Sequence, residues 1–148
     1  MPDTSTDLLL ECLVEALQTF AFIGAEPPPE HVAAPAAADL YTLPFTGPAP
    51  GRLQLAAPRG LGCLMAANLL GLDPAEPQAG ERAADVMGEL CNIMAGLWLR
   101  TLPTGESAEM GLPSSVALEN WDELASRPGS VVVLADGFPL IARVEETS

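Results

Sequence analysis

Between Asp85 and Gly96 the chain reads Asp-Val-Met-Gly-Glu-Leu-Cys-Asn-Ile-Met-Ala-Gly. At about 100° per residue its polar and apolar members separate. Asp85, Glu89, Asn92 and Gly96 share a narrow arc, while Val86, Leu90, Ile93, Met94, Leu97 and Trp98 fill the broad opposite side. The pattern predicts a long helix over 80–100, with an open polar face on an otherwise apolar rod. Near the start, Thr4 with Asp7 three residues on can cap a helix whose apolar arc includes Leu9, Leu10, Leu13, Val14 and Leu17 and which ends near Phe20. A third helix is expected over 59–72, stopped by Asp73-Pro74. Asn120 with Glu123 caps a short fourth one, ending at Arg127-Pro128-Gly129.

Strand signals lie between these helices. Residues 20–25 read as a strand, and the run 27–38, rich in Pro and Ala, reads as a surface connection. Segments 40–45 and 52–56 flank Thr-Gly-Pro-Ala-Pro-Gly, which predicts two strands joined by a Pro-stiffened hairpin loop. A strand is expected over 108–113, with Ser114 and Ser115 ending it. Segments 131–135 and 138–144 flank Asp136-Gly137, the strongest short hairpin signal in the chain. The mixed order predicts an α+β fold, a mainly antiparallel sheet with helices packed on one face. A chain of 148 residues, 49% of them hydrophobic, is the length of one domain over 1–148 and can bury a core.

Charge narrows the function classes. Twenty acidic side chains face six basic ones, all Arg, for a formal net charge of -14. Clustered cations, which bind phosphate backbones and anionic bilayers, are missing, so nucleic acid and membrane surfaces are disfavoured as partners. No basic region precedes Leu8-Leu9-Leu10, and no apolar run approaches the roughly 20 residues of a membrane span, so a soluble cytoplasmic protein is expected. Cys12, Cys63 and Cys91 lie far apart in apolar settings and predict reduced, mostly buried thiols. His31 stands alone in the Pro-rich run, so neither a metal site nor a catalytic triad is expected, and Ser114 and Ser115 have no nearby His. Gly60-Leu-Gly62 lacks the third glycine and the Lys of a phosphate loop. Trp98 and Trp121 are expected as core or interface aromatics.

The run from Asp85 to Gly96 resembles the motif of the CheX branch of the CheC/CheX/FliY chemotaxis phosphatases: an Asp or Ser, three residues, Glu, two residues, then Asn. Asp85, Glu89 and Asn92 fill it, and Met110-Gly111-Leu112-Pro113 fits the strand that follows in the family. The resemblance implies a CheC/CheX-like fold and a phosphatase acting on the aspartyl phosphate of a response-regulator receiver domain such as CheY. Glu89 and Asn92 become its catalytic residues, Asn92 orienting the attacking water and Glu89 pairing with a receiver lysine. Asp85, Gly88, Ala95 and Gly96 become the partner-binding surface, the small residues allowing close approach. Mg²⁺ is expected on the receiver, with no cofactor or metal in this chain. A homodimer is expected as well, joined through the apolar hairpin of Val131-Val-Val-Leu134 and residues 138–141.

Spacing alone is also met by the solvated stripe of an ordinary amphipathic helix, which Glu81 and Arg82 extend. The alternative function is a non-catalytic receiver-binding or scaffold module of the same fold, and the Asn discriminates, since a pure binder has no need of its amide. Glu11, Glu15 and Gln18 repeat the motif's spacing in the first helix. Gln is one methylene longer than Asn, and Phe22 stands where the counterpart of Gly96 belongs, so this reads as a decayed or coincidental copy.

Overall fold

The computed structural model describes residues 4–29, 32–103 and 107–147. Its elements are α1 (Thr4–Ala21), β1 (Ala25–Glu26), β2 (Asp39–Thr46), β3 (Gly51–Ala57), α2 (Arg59–Leu70), α3 (Pro77–Arg100), β4 (Glu109–Met110), β5 (Ser114–Ala117), α4 (Trp121–Ser126), β6 (Val131–Ala135) and β7 (Phe138–Glu146). The strands form one sheet in the order β1-β6-β7-β3-β2-β4, with β5 beside β4 on the same edge of β2. Every pairing is antiparallel.

Side-chain alternation along the strands builds two cores. Leu43, Leu53, Leu55, Val133 and Leu140 face α1, α2 and α3 and form the larger one. Ala56 and Ile141, pointing the other way, meet Trp121 and Leu124 of α4. The α+β fold therefore stands, with one refinement: three helices share a face, and the short α4 covers part of the opposite one. Gln54, a buried polar side chain on the α4 side, is satisfied by the Arg143 guanidinium, whose Nη1 donates to Oε1 at 3.2 Å. Arg143 also donates to the Pro128 carbonyl and to Glu145, while Arg52 donates to Glu145 at 2.9 Å. The hydrogen bond from Arg52 holds the Glu145 carboxyl below the usual carboxylate range.

Local chemistry explains where the elements stop. Asp136 and Gly137 take φ of 49° and 85°, the paired positive angles of a type I′ turn, and Ala135 pairs with Phe138 across it. Gly71, at φ 69°, ends α2 two residues short of the expected boundary, because its left-handed backbone turns the chain away. Pro77 begins α3 earlier than expected, its ring holding the φ of a first helical turn where no N–H is needed. Asn120 caps α4 as predicted, Oδ1 accepting from the Glu123 N–H at 3.0 Å.

Two strand expectations are corrected. Residues 20–25 are not one strand: α1 runs on to Ala21, Phe22 turns the chain at φ 58°, and Gly24 and Pro27 confine β1 to two residues. Residues 108–113 do not form one strand ended by serines. The chain leaves the ladder after Met110 and rejoins it at Ser114, so Ser114 and Ser115 open β5.

Candidate active site

Helix α3 carries the polar stripe on its open side. Val86, Leu90, Met94 and Trp98 sink into the main core, while Asp85 and Glu89 are exposed and Asn92 is half-buried. Asp85 has a partner within the chain, Arg82, with Nε 3.8 Å from its carboxylate. The side chains of Glu89 and Asn92 have no hydrogen bond or ion pair among the described residues. Residues three apart on a helix are neighbours about 5 to 6 Å apart, so carboxylate and amide present themselves together.

The facing wall comes from the β4–β5 edge. Phe45 pairs with Met110 and Thr42 with Ser114, so Leu43 and Pro44 stand opposite Gly111, Leu112 and Pro113, a bulge of one extra residue. Pro44 explains its position. Its carbonyl points to this edge and accepts the Gly111 N–H at 2.7 Å, and on that side proline has no N–H to offer a ladder partner. The bulge lowers Pro113 onto α3 at Gly88, where an added Cβ would lie 3.3 Å from the proline ring.

Between these walls lies an open groove of about 370 Å³, lined by Asp85, Gly88, Glu89 and Asn92 on one side and Pro113, Ser114 and Ser115 on the other. Tyr41, cross-strand from Ser115, lines it as well. Burial, then the neighbouring Asp39 carboxylate, pushes its hydroxyl up to about 12, so it remains a proton donor. That hydroxyl has no hydrogen-bond partner among the described residues and is free for whatever fills the groove. The groove can therefore hold a water or a small anionic group against an amide, a carboxylate and hydroxyl donors. Among the described residues no cluster of His, Cys, Asp or Glu could hold a metal ion.

The family model for the chemotaxis phosphatase CheX matches residues 41–134, a span that includes α3 and the groove. The chain belongs to the CheX family. Among solved structures, CheX of Vibrio vulnificus is 18% identical with a TM-score of 0.71, the match covering 98% of this chain and 97% of that one. A putative chemotaxis protein from Desulfovibrio vulgaris Hildenborough is 14% identical, also at 0.71, with 98% and 97% covered. A chain of the CheX–CheY–BeF3–Mg²⁺ complex from Borrelia burgdorferi is 16% identical at 0.65, with 96% and 97% covered. At such identities the likeness concerns the fold. No curated protein matches the sequence.

Within this CheX-family chain two expected partner contacts, Gly88 and Ala95, need correction, and a third, Gly96, lies outside the groove. Gly88 is buried beneath Pro113, so its missing side chain serves the chain's own strand. Ala95 is fully buried in the core and cannot touch a partner. Gly96 is half-buried and lies away from the groove, beside Leu99, Arg100 and Met110. Asp85 does line the groove, paired to Arg82. Sequence reasoning missed Tyr41 and Pro113 as groove residues and took Ser114 and Ser115 for a strand end. No local sequence signal marks Tyr41, whose place in the groove depends on how β2 packs against α3.

Trp98 and Trp121 are core residues. Cys12, Cys63 and Cys91 are free thiols, two of them buried, and burial pushes Cys91 up to about 12 and raises Cys12 as well. Glu11, Glu15 and Gln18 are exposed on α1. His31 lies outside the described residues. No helix among the described residues is long and apolar enough to cross a membrane.

Proposed function

We propose that this protein hydrolyses the aspartyl phosphate of a CheY-like response-regulator receiver domain, with Asn92 orienting the attacking water and Glu89 pairing with a lysine beside the phosphorylated aspartate. The observation that supports this most is that, in a CheX-family chain, these two unpartnered side chains share one turn of α3 and open onto the same groove. The similar Borrelia burgdorferi structure is a complex of CheX with CheY, BeF3 and Mg²⁺, which favours a receiver as the occupant; in this reading Mg²⁺ belongs to the receiver. Water attacks phosphorus, the bond to the aspartyl oxygen breaks, and free carboxylate and inorganic phosphate leave. Such transfers are catalysed chiefly by positioning and charge stabilisation. An amide, donor and acceptor at once, can hold a water in line without changing charge. The reading includes action in the cytoplasm and a homodimer.

The test is loss of phosphoryl group from a panel of phosphorylated CheY-like receivers, with and without this protein. The wild type should accelerate dephosphorylation of at least one. Asn92→Ala should lower that acceleration about 10²-fold or more while binding survives, since its side chain packs no core. An Asn92→Ala protein that works at the wild-type rate would overturn the water-positioning role.

A further inference from the structure

We infer that Leu112, thrust out of the sheet by the Pro44 bulge, is the apolar anchor that docks the receiver beside the groove. This rests on the phosphatase reading and adds a residue that the motif does not contain.

Leu112 is 86% exposed, more than any other large apolar side chain among the described residues; Val116, on the strand that follows, stands at 62%. Nothing in the fold uses it. A free loop tip carrying a leucine would have to be ordered on binding, at a cost in entropy, yet this segment is held at both ends. On one side the Gly111 N–H binds the Pro44 carbonyl at 2.7 Å, and a Cβ at Gly111 would lie 2.8 Å from Pro44 Cγ, so the backbone sits directly on that ring. On the other side the ring of Pro113 fixes its own φ and rests on α3 at Gly88. The leucine is presented by a backbone that is already in place.

Position and charge make the same argument. Pro113, Ser114 and Ser115 follow directly and form the groove wall opposite Asn92. Leu112 is the next residue along that wall, within reach of a folded domain that brings a reacting group to Asn92. That domain carries an anionic phosphoryl group towards a chain of net charge -14, whose own groove holds the carboxylates of Asp85 and Glu89. This chain's net charge offers that group no long-range attraction, so short-range contact has to supply affinity, and burying one exposed leucine is such a gain. The matching feature on the receiver is an apolar depression bordering the phosphorylated aspartate.

The experiment uses the full chain and the receivers that the wild type dephosphorylates. Leu112→Ser should raise KM, and the dissociation constant for the beryllofluoride-loaded receiver, about tenfold or more, with kcat at saturation unchanged. Leu112→Met should restore both. Asn92→Ala in parallel should do the opposite, losing kcat and keeping affinity. Because Leu112 is outside both cores, circular dichroism and melting temperature should match the wild type. Wild-type KM and affinity in Leu112→Ser would overturn the anchor and leave the phosphatase intact. A wild type that neither binds nor dephosphorylates any receiver of the panel would overturn both.

Discussion

Glu89 and Asn92 divide the work at the scale of single residues, and the division can be measured. If Glu89 acts by pairing with a receiver lysine, then Glu89→Gln, which keeps shape and removes charge, should weaken affinity for beryllofluoride-loaded receiver about tenfold or more, because a desolvated charge is left unpaired across the interface. Unchanged affinity would contradict the docking role. Both residues were legible in the sequence because a helical period sorts polar from apolar positions without knowing anything else. The same period misassigned Gly88 and Ala95. They lie on one flank of the polar arc, and what covers a flank is decided by another element, here Pro113 and the sheet. Tyr41 was illegible for the converse reason: its hydroxyl reaches the groove only because β2 runs beneath α3.

Among the elements, the crossing of α2 over α3 fixes the back of the motif helix. A Cβ on Gly62 would lie 3.1 Å from both Cβ and the carbonyl oxygen of Ala83 and 3.2 Å from Met87 Cγ. Alanine there would gain helix propensity of about 1 kcal/mol but must push against backbone. Valine adds bulk that cannot be absorbed, so Gly62→Val should destabilise the protein by about 1 to 3 kcal/mol, read as a lower urea midpoint with unchanged slope. An unchanged midpoint would mean that the helices separate freely. Helices and hairpins were readable from local signals: the Asp136-Gly137 turn, the Asn120 cap and the stripe of α3 are each decided within a few residues. The division between β4 and β5 was not, because its cause, the missing N–H of Pro44, sits on the neighbouring strand.

For the whole molecule, the α+β class followed from element order, while strand order did not. The expected dimer hairpin illustrates the difference. β7 lies between β6 and β3, so from Ile141 onward it offers no edge and residues 138–140 pair on one side only, with β6; β1 covers β6 only at Leu134 and Ala135. What remains of β6 without a strand partner is the outer side of residues 131–133, beside an apolar hollow of about 340 Å³ that includes Leu10, Val14, Pro27 and Pro28. We propose that a second copy covers this edge, leaving one Glu89/Asn92 groove open on each subunit. Light scattering at micromolar concentration should give twice the 15.4 kDa chain mass, and a single-chain mass would end the dimer without touching the chemistry. The inner place of β7 reaches beyond the folded state. Gln54 on β3 meets Arg143 on β7 across 89 residues, so β3 leaves the ribosome long before the strand that must lie beside it. Until β7 is made, one flank of β3 is an unpaired, apolar template. Closing the sheet is therefore a late, long-range event of this chain's biogenesis, and before it the nascent protein has an open strand flank to keep from its neighbours.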